Sequence, residues 1–208
     1  MKSRTLALWH GIAFMFGLLV LLPAPLSALA DEPGAFTVTS VAEKKLEALP
    51  PGVLYWRVET FPELEQARAA AAASATSLAA EVAGKAWLFT LGPKGGATPG
   101  GTKVAEIGPV PSVTAPAYLL RINHAGGPPG AKTPVHAHPG SESFYVLAGQ
   151  VTQRTPDGAR SAEAGQSVVG HGAGMPMEVS SSGGAGLDLL VMFVLDATKP
   201  FSTPAKIE

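Results

Sequence analysis

Two histidines and a glutamate within one short stretch carry the clearest chemical signal in this sequence. His136 and His138 are separated by one residue, and Glu142 follows four residues after the second histidine. Two imidazoles and one carboxylate are a minimal ligand set for a divalent metal ion. The stretch therefore predicts a metal site in which coordination positions remain open for other molecules.

The spacing of these three residues has a structural reason. Alternate residues of a β-strand point to the same face, so His136 and His138 can be directed at one point. The sequence Pro139-Gly140-Ser141 favours a bend, which can bring Glu142 back beside the two imidazoles. Alternating apolar residues over positions 144–148 then predict a half-buried strand.

The stretch resembles the first sequence motif of the cupin superfamily. That motif is Gly-x5-His-x-His-x3-Glu-x6-Gly, and its fixed positions are matched by Gly130, His136, His138, Glu142 and Gly149. The resemblance implies a small antiparallel β-barrel of the jelly-roll type, as in single-domain, quercetinase-like cupins. It also implies a divalent metal inside the mouth of the barrel, with iron or manganese favoured and copper, nickel or zinc as alternatives.

The usual second cupin motif, whose histidine supplies a fourth metal ligand, is matched only in part. Residues 165–181 align with it when Met177 takes the place of that histidine and Ser181 the place of a final asparagine. A thioether suits copper better than iron or manganese, whereas a methionine can also simply fill a gap in an irregular core. Two interpretations stay open here: Met177 as a fourth ligand position, or a site that has lost its metal.

Two other side chains are further candidates for the site. His171 lies six residues before Met177 and could serve as a replacement ligand or a general base, although a lone histidine in a turn is more often a partly exposed residue. Tyr145 lies on the strand that follows Glu142, and alternation alone does not decide whether it lines the barrel. The sequence assigns a catalytic role to none of these residues.

The first residues have the layout of an export signal. Lys2 and Arg4 precede an apolar run over residues 6–22, and Ala28-Leu29-Ala30 matches the small-x-small cleavage pattern. We expect a signal peptide, residues 1–30, that is cleaved after Ala30, with an uncleaved anchor as the alternative. The protein is then periplasmic or secreted, and this segment is its only contact with a membrane. The complete lack of cysteine excludes disulfides and thiolate chemistry.

Beyond the signal, the sequence predicts one domain built mainly from β-strands. Short apolar runs separated by turn residues over 117–198 predict the core of the barrel. Residues 31–116 are expected to add strands and one alanine-rich helix, over residues 63–83, that pack on the barrel. Residues 199–208 are expected to form a C-terminal tail. The predicted fold class is therefore mainly β: a cupin-type antiparallel barrel with an N-terminal α/β extension.

Charge and composition limit the classes of partner and function. A net charge of −1 over 208 residues argues against a nucleic-acid surface. We expect a small-molecule ligand and, because cupins often dimerise, a homodimer as a further option. Two functions stay open. One is a metal-dependent enzyme, by resemblance a dioxygenase-like oxidoreductase acting on a small organic substrate. The other is a non-catalytic cupin module that binds a small molecule or a metal.

Overall fold

The computed structural model of the protein describes residues 34–208, which form fourteen strands and one helix. The predicted signal peptide and its cleavage site lie outside the described residues. The elements in chain order are β1 (Thr37–Leu46), β2 (Tyr55–Phe61), α1 (Leu64–Ala72), β3 (Ser77–Val82), β4 (Lys85–Gly92), β5 (Thr102–Ile107), β6 (Tyr118–Gly127), β7 (His136–Ala137), β8 (Gly140–Ala148), β9 (Gln150–Thr155), β10 (Gly158–Glu163), β11 (Ser167–Val169), β12 (Glu178–Ser181), β13 (Leu187–Asp196) and β14 (Thr203–Pro204). Over residues 34–208, no helix has the length and apolar character needed to cross a membrane.

The strands form four antiparallel sheets. The largest has the order β1-β6-β13-β8-β11, and two smaller sheets have the orders β10-β9-β12 and β14-β7. A separate four-stranded sheet has the order β3-β4-β2-β5. The prediction of a mainly β fold with antiparallel sheets and one helix is confirmed, and the arrangement is consistent with the expected jelly roll.

The five-stranded sheet separates two hydrophobic cores, because the side chains of its strands alternate between its faces. On β13, Leu189, Val191 and Phe193 belong to a core shared with β9, β10 and β12. Leu190 and Met192 belong to the other core, which the four-stranded sheet covers. Both faces of β13 are therefore buried, which explains its continuous apolar sequence.

Helix α1 covers the outer face of the four-stranded sheet. Its buried residues are Ala67 and Ala71, and they pack with Phe61, Ala86 and Leu88. The small alanine side chains allow the helix to approach the sheet closely. The molecule is thus layered, with the helix on the four-stranded sheet and that sheet on the barrel.

The alanine-rich helix is shorter than the sequence predicts, which corrects the expectation for residues 63–83. It ends at Ala72, and Ser77–Val82 forms strand β3, paired in register with β4. Ala83 and Gly84 connect the two strands with positive φ angles of 52° and 68°, as a tight hairpin requires. Alternate residues of β3 are buried in the core beside the barrel. Pairing and burial therefore outweigh the helix propensity of alanine in this segment.

Both ends of the described chain contribute to the barrel. Strand β1, from the region expected to be an extension, pairs with β6 at the edge of the five-stranded sheet. Strand β14, from the expected tail, pairs with β7: Thr203 lies opposite Ala137, and Pro204 opposite His136. The backbone N–H of Ala205 also donates to the carbonyl of Val135. The C-terminal residues thus lie against the strand that carries the first histidine.

Candidate metal centre

The bend between the histidines and the glutamate depends on the glycine at position 140. Gly140 starts β8 directly against β13, where a Cβ atom would lie 2.0 Å from the carbonyl oxygen of Val194. A residue without a side chain is therefore required for the two backbones to approach. Strand β8 then carries Glu142 into the barrel, and it ends at Ala148, just before Gly149, whose φ of 74° favours glycine.

The imidazoles of His136 and His138 converge on each other. Their Nε2 atoms are 3.1 Å apart. The Nδ1 atom of His136 lies 2.8 Å from the carbonyl oxygen of Pro134, and that of His138 lies 2.7 Å from the carbonyl oxygen of Phe201. A carbonyl oxygen can only accept, so both Nδ1 atoms carry the hydrogen. In the neutral rings, each Nε2 therefore presents a lone pair to the other.

His138 is enclosed by aromatic rings. Its ring centroid lies 5.0 Å from that of Phe193 and 4.7 Å from that of Phe201. This burial lowers the pKa of His138 to about 4; repulsion from the Arg121 charge, and from His136 when that ring is protonated, acts in the same direction, and the hydrogen bond to Phe201 opposes it. His138 is therefore neutral near pH 7, which is the form that binds a metal ion.

Glu142 is buried beside the two histidines. Gln153 Nε2 donates to its Oε1 atom, while its Oε2 atom lies 3.7 Å from His138 Nε2. Burial raises the pKa of Glu142 to about 8, although the hydrogen bond from Gln153 acts to lower it. The buried carboxyl group thus holds its proton near neutral pH, and a nearby cation would favour the carboxylate.

The other three candidates from the sequence occupy different places. Met177 is buried, and its Sδ atom lies 3.4 Å from Gln153 Nε2, next to Glu142. Tyr145 points to the opposite face of β8, where it packs edge-on against Trp87 at 6.1 Å, so it is not part of this site. His171 is half-buried in the loop after Gly170 and is absent from the cavity wall around the histidines.

A cavity of about 400 Å³ opens beside His136, His138 and Glu142. Its wall is mainly apolar. Its apolar residues include Phe36, Val38, Phe144, Val191, Phe193 and Phe201. The site therefore combines a small polar end with an apolar chamber, as small-molecule sites commonly do.

Sequence reasoning missed three residues that shape this site: Gln153, Asn123 and Phe201. Gln153 and Asn123 are polar yet 2% and 1% exposed, respectively. A polar residue at an inward position of an alternating strand is a signal that could have found both of them. Phe201 acts through its backbone carbonyl as well as its ring, and no sequence pattern reveals a backbone acceptor.

The three predicted ligands approach the arrangement that a divalent ion needs. A separation of 3.1 Å between the Nε2 atoms suits two neighbouring ligands at about 2.1 Å from one ion. Glu142 is farther away, and within residues 34–208 no three His, Cys, Asp or Glu side chains already form a complete group of metal ligands.

No protein-family model matches this sequence, and no curated protein shows significant similarity to it.

Solved structures that resemble part of the chain include cupins. A cupin superfamily protein from Desulfitobacterium hafniense is 13% identical over 37% of this chain and 68% of its own, with a TM-score of 0.34. A DMSP lyase from Ruegeria pomeroyi is 23% identical over 41% of this chain and 43% of its own, with a TM-score of 0.37. An oxalate oxidase in complex with the substrate analogue glycolate is 22% identical over 40% of this chain and 45% of its own, with a TM-score of 0.35. The match to this chain thus spans less than half the length of either enzyme.

Proposed function

We propose that the protein binds one divalent metal ion through His136, His138 and Glu142, and that the adjoining cavity receives a small organic molecule. The observation that carries this proposal is the pair of Nε2 atoms 3.1 Å apart, each on a ring whose Nδ1 faces a carbonyl oxygen. When both rings are neutral, the two facing lone pairs repel, and partial burial strengthens the repulsion. A cation between them removes the repulsion and favours the carboxylate form of Glu142.

In its enzymatic form, the protein is an oxygenase-type oxidoreductase that acts on a small organic substrate. Two histidines and one carboxylate leave coordination positions open, which is the ligand set typical of non-haem Fe(II) oxygenases. The metal supplies Lewis acidity and, with iron, manganese or copper, redox chemistry. His138 is neutral and held by the Phe201 carbonyl, while Gln153 orients Glu142, so these contacts would steady the donor side chains around a bound ion.

A non-catalytic binding module is the second candidate, and Met177 favours it. The Met177 sulfur lies at the sequence position aligned with the fourth cupin ligand, and it contacts the Gln153 amide at 3.4 Å. A thioether is a poor ligand for iron or manganese, so a three-ligand site would hold these metals more weakly. Such a protein would capture its ligand in the apolar chamber without converting it.

We also propose that the protein is exported, because residues 1–30 have the pattern of a signal peptide. Mass spectrometry of the protein recovered outside the cytoplasm should give Asp31 as the first residue. An N-terminus at Met1 or Lys2 in that fraction would contradict cleavage after Ala30.

Metal content tests the central proposal. Purified protein should retain close to one divalent ion per chain by elemental analysis, and the double variant His136→Ala/His138→Ala should retain none. His124→Ala is the matched control, because His124 pairs with Asp188 outside the cavity. Wild-type protein that stays metal-free after incubation with Fe(II), Mn(II), Cu(II), Ni(II) and Zn(II) would rule out the metal centre. Oxygen uptake with phenolic substrates then separates the enzyme from the binding module.

A further inference from the structure

Asn123 is a polar residue of the cavity wall that the proposed metal centre does not use. It lies on β6, is 1% exposed and lines the same cavity as the two histidines and Glu142. Its Oδ1 atom accepts a hydrogen bond of 2.7 Å from Arg121 Nε. A guanidinium group only donates, so the amide oxygen must face Arg121 and the amide nitrogen must face away from it.

Arg121 is itself held from two directions. Its Nη1 atom lies 2.9 Å from Glu43 Oε1 on the neighbouring strand β1. Its guanidinium carbon lies 4.1 Å from the centre of the Phe201 ring, in a cation–π contact. The Asn123 amide is therefore oriented before any ligand arrives, and a preorganised donor loses little entropy on binding.

The Asn123 Nδ2 group has hydrogens to donate. Within residues 34–208, the only hydrogen bond of the Asn123 side chain is the one that its oxygen accepts from Arg121. The Asn123 Nδ2 atom keeps a small surface that a water molecule in the cavity can reach. A ligand oxygen in the cavity would replace that water as the acceptor.

Apart from the proposed metal ligands, the described residues of the cavity wall disfavour a charged group on the ligand. Among the described residues that line the cavity, the ionisable ones are His136, His138 and Glu142, which are the proposed metal ligands. Neither lysine nor arginine is among them, so an anionic group away from the metal would meet apolar side chains such as Phe144 and Phe193. Burial of an unpaired charge there is strongly unfavourable.

We propose that Asn123 is a specificity-determining residue, which selects a small, uncharged and mainly apolar molecule carrying an oxygen acceptor. The amide nitrogen of Asn123 binds the acceptor, and the aromatic and aliphatic wall packs around the rest of the molecule. This inference deepens the proposed function and rests on its claim that the cavity receives a small molecule.

Three probes of similar size test the selectivity: acetophenone, ethylbenzene and benzoate. Binding is measured by NMR titration of protein freed of metal with a chelator, so that no ion competes with Asn123 for the ligand oxygen. Acetophenone should bind about tenfold more tightly than ethylbenzene, which corresponds to roughly one hydrogen bond. Benzoate should bind more weakly than acetophenone. Equal affinities for the two neutral probes, tightest binding of benzoate, or no binding of any probe would each overturn the inference.

Variants connect the selectivity to the amide. Asn123→Leu should reduce the affinity for acetophenone to that for ethylbenzene, whereas His124→Leu, the next residue on the opposite face of β6, should keep the difference. If Asn123→Leu does not fold, the affinities of the three probes for the wild-type protein still test whether the cavity prefers a neutral ligand with an oxygen acceptor. Metal content of the as-purified protein is measured in parallel: retained metal without probe selectivity contradicts this inference alone, and absent metal contradicts the metal centre.

Discussion

His136 and Met177 are directly opposite residues in an antiparallel backbone pair, with N···O distances of 2.9 and 2.8 Å in the two directions. Opposite residues of such a pair have their side chains on the same face. The Met177 side chain accordingly points inward and contacts Gln153, which in turn donates to Glu142. Met177 is thus linked to the proposed ligands twice, through its backbone to His136 and through Gln153 to Glu142.

Met177→His should tighten metal binding at least tenfold, because an imidazole on the same face as His136 adds a fourth ligand. The dissociation constant is measured by competition with a metal-binding dye. Met177→Leu is the control for loss of the sulfur and should leave the affinity for iron or manganese unchanged. An unchanged affinity in Met177→His would show that position 177 does not reach the metal.

Gln153→Met should weaken metal binding by about 10- to 100-fold, since the ligand Glu142 loses the hydrogen bond that orients it. The same dye competition measures the loss. Gln150→Met is a matched control on the same strand, because Gln150 bonds with Glu163 and Ser182 away from the cavity. If both variants bind metal as wild type does, Gln153 has no role in positioning Glu142.

Removal of residues 200–208 should weaken metal binding, because it removes the carbonyl of Phe201 that accepts from His138 Nδ1. It also removes β14 from its partner β7. A shorter truncation of residues 206–208 keeps both features and should bind metal normally. Circular dichroism of both proteins checks that the sheets remain. Undiminished metal affinity in the longer truncation would contradict the role of this segment.

Glu59 should make stability depend on pH. Thr98 donates to Glu59 from its backbone N–H at 2.8 Å and from its hydroxyl at 2.6 Å, and Arg57 Nε lies 3.1 Å away. Burial acts to raise the pKa of Glu59, but the hydrogen bonds and the ion pair outweigh it, and the pKa lies below its ordinary value of 4.5. The stabilisation is therefore present above the unfolded-state pKa and is lost as the pH falls through the lower folded-state pKa.

Urea denaturation between pH 7 and pH 3 measures this contribution. The urea midpoint of wild type should fall more steeply with acid than that of Glu59→Gln, which cannot ionise. Glu81→Gln is the control, since Glu81 is exposed on β3 and should leave the wild-type profile intact. Parallel profiles for wild type and Glu59→Gln would show that Glu59 does not contribute.

Sequence patterns predict the strands well where burial alternates or is complete. The apolar run over Leu187–Leu195 indicates a buried strand because both of its faces are covered. The helix that the sequence predicts over Ser77–Val82 is wrong: the alanines there favour helix, but pairing with β4 makes the segment a strand. Local preference and tertiary pairing disagree there, and pairing determines the structure.

The residues of the candidate site also fall into those that the sequence predicts and those that it does not. His136, His138 and Glu142 are close in sequence, so their spacing alone suggests a common target. Gln153 lies on β9, and Phe201 lies in the segment between β13 and β14; their contacts depend on how distant strands pair, which a single sequence does not specify. Register also places Tyr145 on the outer face of β8, away from Glu142 three residues before it.

The cavity wall joins Phe36 and Val38, near the start of the described chain, to residues 201–204, near its end. A growing polypeptide that has not yet reached residue 201 lacks one side of the chamber and the hydrogen-bond acceptor of His138. The chamber can therefore be complete only after residues 201–204 have been synthesised. A metal ion held in the complete chamber would then be acquired only after this segment is in place, and the ions present at that moment would compete for the site.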